Sequence, residues 1–275
     1  MISWRTGWRR RRLRRFDPAF LRADAVIFHI PTTPVGVQLA KRPGQTWIAW
    51  SAESEANYPA LADPEFMRHF DLEVSHRQGA DVVIAYCQPD DWLPLAPLPP
   101  APPVYEPAPA VFIASSRFDL SGRTSYVRKL MRHMAVDSYG RVLNNRHLAE
   151  DQGRSTKLEL LRRYRFTLAF ENSIAPDYVT EKFFDPLLVG SVPVYLGAPN
   201  VADFAPGRDC YIDVSDYAGP AKLAEHLVGL AADPERYARH LEWRTRPLAQ
   251  DFVGMVQEQR LPAIERLCRI LRARA

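Results

Sequence analysis

The sequence predicts an α/β protein made of two halves, each built on a mostly parallel sheet. Short apolar runs alternate with segments of helical period along most of the chain, the pattern of β-α-β units. A tract at 94–110, PLAPLPPAPPVYEPAPA, holds eight prolines in seventeen residues and divides the chain. Such a segment is stiff and extended and cannot enter a sheet interior. The composition, 47% hydrophobic and 25% charged over 275 residues, is that of a soluble globular protein with room for two domains of ordinary size.

The first element is an arm. Residues 1–16, MISWRTGWRRRRLRRF, carry seven arginines and no acid, so removing those seven from a net charge of +4 leaves the remainder at −3. The basicity therefore belongs to the arm, not to a groove through the fold. Its interspersed Trp4, Trp8, Leu13 and Phe16 suit an anionic membrane surface, and a solvated tail is the plainer alternative. Nucleic acid is not an expected partner. The arginines lead into FDPAFLRADAV, which lacks the long apolar stretch of a secretory or twin-arginine signal, and no run approaches a membrane span. Cys87, Cys210 and Cys268 are widely spaced without a C-x-x-C pair. That argues against a disulfide framework or a cysteine zinc site and fits a reducing cytoplasm, at most peripheral to the inner face of the membrane.

Strands are expected at 23–30 (ADAVIFHI) and 45–51 (QTWIAWS), with two shorter pieces within 69–87 around Gln78-Gly79. After the proline tract, VFIASS (111–116) restarts the pattern with a strand, followed by a helix at 122–135 and a strand at 136–140. STKLELLRRY (155–164) reads as a helix and RFTLAF (165–170) as a strand; a helix at 179–189 and the strand VPVYLG (192–197) complete a unit. From 219 onward the period is helical. The expected division is an arm at 1–22, a first domain at 23–108, a second at 109–249 and a helical tail at 250–275.

In parallel sheets ligands sit beyond the C-terminal ends of the strands, which directs attention to ENSIAPDYVTEKFF (171–184). Glu171-Asn172-Ser173 form a polar loop, and Asp177 or Thr180 can cap the coming helix. Phe183 with Leu187, and Phe184 with Leu188, pair at i, i+4 and pack inward. Gly190 ends the helix, and Pro186 is expected to kink it. Lys182 falls in the first turn, where the helix dipole disfavours a cation unless an anion shares the site. Glu181, acceptor-only when ionised, suits sugar hydroxyls. Spacing alone leaves this reading level with a solvated helix face. There is no G-x-x-x-x-G-K-[ST] and no G-x-G-x-x-G after a strand, so P-loop and dinucleotide folds lack support, and no Asp-x-Asp pair marks a metal-clamped diphosphate.

The stretch YRFTLAFENSIAPDYVTEKFFDPLLVGSVPVYLGAPN (164–200) resembles the signature of the α-1,3/1,4-fucosyltransferase family. SGRTSYVRKLMRHMAVDSYGRVLNN (121–145) and DYAGPAKLAEHLVGLAADPERYARHLEW (216–243) resemble its flanking regions, and ADAVIFH, WIAWSAESE and FDLEVSHRQGADV are weaker counterparts upstream. The resemblance implies two Rossmann-like domains facing across a cleft (the GT-B architecture) and inverting transfer of fucose from GDP-fucose to an acceptor glycan. N-acetylglucosamine or glucose, as in lipopolysaccharide or protein glycosylation, is the implied acceptor. It assigns Lys182 and Arg123 to the diphosphate, Asn172, Tyr178 and Glu181 to the fucose and ribose, and Glu53 of SAESE to the general base. Glu55 stands where the family has proline, so it is the alternative base. No cofactor is implied as a requirement, and stimulation by Mn or Mg stays open. Members carry more chain before the first strand, so a shortened acceptor domain is expected. A GDP-sugar-binding protein that is non-catalytic or differently specific is the alternative function.

Overall fold

A computed structural model describes residues 18–33, 40–92, 105–148 and 150–274. The arm at 1–16 and most of the proline tract lie outside them. The chain divides into two compact units, Met1–Ile84 with Leu261–Ala275, and Ala85–Arg260. These boundaries differ from the expected 23–108, 109–249 and 250–275, for reasons of packing given below.

In the first unit the short helix α1 (Pro18–Arg22) leads into β1 (Ala25–His29), followed by β2 (Thr46–Trp50), helix α2 (Pro64–Met67), β3 (Leu72–Ser75) and β4 (Val82–Val83). The strands form one parallel sheet in sequential order. Side chains alternate across it. Val26, Phe28, Trp47 and Ala49 pack with Phe20, Ile30 and Leu61 on one face, while Ile27, Ile48, Leu72, Val74 and Val82 form the other. Burial on both faces explains why these strands read as continuous apolar runs. Residues 76–81 make the whole connection between β3 and β4, shorter than the usual dozen of a parallel crossover, and the pairing they serve spans two residue pairs.

The second face is closed by the last helix of the chain, α10 (Ala263–Arg274), which seats Ile264, Leu267, Ile270 and Leu271 against that cluster. Arg266 also donates to the Val83 carbonyl at 2.7 Å. The expected tail is thus split: α10 is part of the first unit, and the helix before it is part of the second.

The second unit begins at Ala85. Helix α3 (Pro89–Trp92) is followed by β5 (Ala110–Ala114), α4 (Arg123–Leu130), β6 (Val136–Gly140), α5 (Arg154–Arg162), β7 (Phe166–Phe170), α6 (Glu181–Val189) and β8 (Val192–Leu196). Strand β9 (Ile212–Asp213) and helices α7 (Pro220–Ala231), α8 (Pro234–Arg239) and α9 (Gln250–Glu258) complete it. The parallel sheet runs β6-β5-β7-β8-β9. Helices α4 and α7 cover one face through Val127, Leu130, Leu223 and Leu227. On the other, α5 packs through Leu160 and Leu161, and α6 through Phe183, Phe184 and Leu187. Trp92 and Cys87 join Trp243, Phe252 and Val256 in the same α6 cluster, which holds 85–92 and α9 to this unit.

The strand order has one reversal. After β5 the chain moves outward to β6, then returns to pair β7 on the other side of β5. The C-terminal ends of β5 and β7 flank this switch point, where a doubly wound sheet opens to receive ligands.

Candidate functional site

Two loops meet at the switch point. The segment after β5 is tied to the one after β7 by Leu120 N–H and Ser121 N–H donating to the Asn172 carbonyl at 2.7 and 3.1 Å. The Ser121 hydroxyl donates to the Glu171 carbonyl at 2.6 Å. Asp119 accepts from the Arg123 and Thr124 amides at 2.9 Å each, capping α4 in place of Gly122, which has no side chain to do so.

Beyond β7 the loop runs to Thr180, which caps α6 by accepting from the Lys182 amide. Asp177, the other candidate cap, instead takes a positive φ of 63° and is held by Asn200 through two contacts of 2.9 Å. Gly190 closes α6 with φ 84°, a conformation open to glycine at little cost, and its amide reaches the Pro186 carbonyl at 3.0 Å. Pro186 lies inside the helix and removes the bond that would close on the Lys182 carbonyl.

The start of α6 gathers charge. The Lys182 ammonium lies 2.9 Å from the Thr180 hydroxyl, 3.3 Å from Glu171 and 3.4 Å from Glu181. Burial works against its charge, but Glu171 and Glu181 outweigh that and hold the ammonium protonated beyond the ordinary lysine range. Glu181 is 40% exposed and also faces Lys157 of α5 at 3.6 Å. Burial pushes its carboxyl up, Lys182 and Lys157 pull it down, and the net direction is downward. Lys157 in turn reaches Asp185 at 3.0 Å, and Asp185 and Asp91 share Arg154 at 2.8 and 2.7 Å. This chain of pairs fixes α5 against α6 and steadies Glu181.

Arg123 is 2% exposed. Its guanidinium donates to the carbonyls of Phe170, Ser116 and Phe118 at 3.1, 3.2 and 3.3 Å, and its Nε is buried with no partner. Desolvation pulls its pKa down, against the nearby charges of Asp119, Glu171 and Glu181. Arg123 therefore braces the loop after β5 while adding positive charge beside Lys182. Asn172 is half-buried, with its carbonyl engaged as above. Tyr178 is 2% exposed and meets the Tyr86 ring edge-on at 6.3 Å.

Sequence reasoning gave Glu171 only a place in a polar loop. It is completely buried, and burial pushes its carboxyl up against the pull of Lys182 and the Thr180 amide. The signal was available: an acid directly following the apolar strand FTLAF must find partners inside. Gly197 closes over it. A Cβ there would fall 2.6 Å from the Glu171 Cγ and closer still to the Tyr195 hydroxyl. Gly197→Ala is accordingly expected to destabilise the second unit by about 1–3 kcal/mol, read by chemical denaturation, because neither neighbour can yield.

In the first unit, Glu53 follows β2. The Ser51 hydroxyl donates to its carbonyl at 2.9 Å, and Asn57 Nδ2 donates to its carboxylate at 3.1 Å. Glu55 faces Arg77 at 3.5 Å and His76 at 3.6 Å. Trp47 and Trp92 are core residues at 7% and 2% exposure, and Trp50 is half-buried. Among the described residues no group of three or more His, Cys, Asp or Glu is placed to hold a metal ion. No described helix is long and apolar enough to cross a membrane.

Two parallel sheets, the second covered by helices on both faces and reversing its strand order at a switch point, define a two-sheet α/β fold. Residues 107–275 match the C-terminal model of glycosyltransferase family 10 (fucosyltransferase), and 13–87 match the fucosyltransferase N-terminal model. The chain belongs to this family. It is 31% identical over 236 residues to α-(1,3)-fucosyltransferase B of Drosophila melanogaster, covering 78% of this chain and 52% of that protein. Against GDP-fucose protein O-fucosyltransferase 3 of Canis lupus familiaris it is 39% identical over 160 residues, 56% of this chain and 32% of the relative. The chain thus spans about a third to a half of these curated relatives. Its fold is shared with the crystal structure of an α1,3-fucosyltransferase with GDP-fucose, at a TM-score of 0.57 and 19% identity over 79% of this chain and 68% of that one.

Proposed function

We propose that this protein transfers fucose from GDP-fucose to a hydroxyl of an acceptor glycan, N-acetylglucosamine or glucose, in α-1,3/1,4 linkage with inversion. The observation that carries the proposal is the start of α6, where the Lys182 ammonium stands at the positive end of the helix dipole, at the switch point of a family 10 domain. Breaking the bond from fucose to GDP puts negative charge on the departing diphosphate. A fixed cation at the positive end of a helix dipole stabilises that charge more in the transition state than in the ground state. Glu181, exposed beside Lys182, accepts from sugar or ribose hydroxyls, and Asn172 and Tyr178 shape the same end of the site. Arg123 supplies charge from within while its nitrogens hold the loop.

Inversion requires an acceptor hydroxyl on the face opposite GDP with a base in reach. Glu53 fits that part better than Glu55, because a neutral amide orients its carboxylate whereas Glu55 is engaged by Arg77 and His76. The arm at 1–16 gives the proposal a location, peripheral to the inner face of the membrane in the cytoplasm.

Titration calorimetry with GDP, GDP-fucose, GDP-mannose and UDP-sugars tests the donor. Preference for GDP-fucose supports the reading, and equal or better binding of UDP-sugars overturns it. GDP release over an acceptor-glycan array tests transfer; donor binding without release for any acceptor leaves a non-catalytic binding module. A protein hydroxyl is the second acceptor class, favoured by the 39% identity to a protein O-fucosyltransferase. Folded protein acceptors on the same array separate the two.

A further inference from the structure

Glu171 is fully buried, which is rare for an acid. An isolated carboxylate in that position would be costly, and this one is set in a fixed frame. The Thr180 amide donates to Oε1 at 2.8 Å, and the Thr180 hydroxyl lies 2.9 Å from both carboxylate oxygens. The Lys182 ammonium is 3.3 Å from Oε2 and donates to the Thr180 hydroxyl at 2.9 Å. One carboxylate therefore holds both the cap of α6 and the cation of its first turn. The frame is tight on the far side as well, because Gly197 lies against Glu171 with no room for a methyl group between them.

We infer that Glu171 is a positioning residue for the transfer: by gripping Thr180 and Lys182 together, it fixes the ammonium at the first turn of α6, where a departing diphosphate would meet it. This rests on the donor reading of Lys182 given above. A lysine in a first helical turn is opposed by the helix dipole, and its flexible stem has many other places to go. An enclosed counter-ion answers both difficulties. The groups facing Lys182 are Glu171 at the end of β7, Glu181 beside it on α6 and Arg123 at the start of α4, with Lys157 of α5 reaching it through Glu181. Of these, Glu171 and Glu181 favour the ammonium, and Arg123 with burial opposes it. Without the Glu171 charge, burial and Arg123 gain weight and the lysine loses its proton at lower pH.

Glu171→Gln keeps the size of the side chain and an oxygen for Thr180 while removing the charge. In the variant, the alkaline limb of kcat/KM for GDP-fucose is expected to move to lower pH. The loss at alkaline pH should approach the roughly 10²–10³-fold cost of deleting one transition-state donor, and it should shrink under mildly acidic conditions. Adding Lys182→Arg, whose guanidinium stays charged, restores the alkaline limb. A purely structural role would lower stability with the pH profile unchanged, and that result overturns the inference. A titration of the lysine ε-carbons by NMR in the unaltered chain gives a second readout independent of variant folding. Lys182 should hold its proton beyond the ordinary lysine range, and its titration within that range also overturns the inference. Failure of the unaltered chain to bind GDP-fucose removes the donor reading itself. Binding with an unshifted limb in Glu171→Gln removes only the role of Glu171.

Discussion

Lys182→Ala is expected to lower kcat/KM for GDP-fucose by about 10²–10³-fold, the cost of removing one preorganised donor from a developing anion. GDP affinity should fall with it, since the diphosphate of the product carries the same charge. The overall stability change should be moderate. Glu171 keeps both Thr180 contacts, and its carboxyl, already pushed up by burial, can take a proton when its cation is removed. Arg123→Ala offers the contrast. It strips partners from the carbonyls of Phe170, Ser116 and Phe118, and the buried one, at Phe170, costs about 1–3 kcal/mol when orphaned. The two variants should therefore separate in a plot of activity against denaturation midpoint: Lys182→Ala loses rate with most of its stability intact, whereas Arg123→Ala loses both. Equal turnover of Lys182→Ala and the unaltered chain would show that the diphosphate sits elsewhere.

The elements around this site were legible because each carries its own local signal. The five buried residues of β7 read as an apolar run, Thr180 as one of two candidate caps, and Gly190 as a stop. Their order fixed the β-α-β unit and, with it, the end of the sheet at which a ligand belongs. Lys182 was legible by its oddity, a cation placed against the dipole. What stayed hidden depends on distance in the chain. The clasp between Ser121 and Glu171 joins residues fifty apart, and the pairing of Arg154 with Asp91 and Asp185 joins three helices across the proline tract. No periodicity reports such contacts. Strand β9 is two residues long, too short to show alternation. The place of α10 was hidden for a different reason. Its apolar stripe announced that it must pack, but a stripe does not say against which sheet, and it closes the first unit after the chain has built the second.

Glu53→Gln should reduce kcat by about 10²–10⁴-fold, the range for loss of a positioned general base, while leaving GDP and GDP-fucose binding unchanged. The substitution is conservative in shape. Glutamine can present an oxygen to Asn57 Nδ2, and the turn made by Ser51 involves only the backbone of residue 53, so stability should be preserved. Glu55→Gln makes the complementary measurement. It weakens the pairing with Arg77 and His76, a partly buried arrangement at the C-terminal edge of the first sheet. Its effect should therefore appear in denaturation more than in turnover. If Glu55→Gln instead abolishes transfer while Glu53→Gln keeps it, the base is Glu55 and the pair with Arg77 and His76 becomes its orienting frame. If both variants keep near-normal kcat, the proton leaves by a route outside this loop, and the base must be sought among other groups at the C-terminal ends of the strands. Measuring donor binding in parallel decides how a slow variant is read. A loss of kcat with unchanged donor affinity is the signature of an interaction made with the acceptor in the transition state, and that combination is the result expected for Glu53.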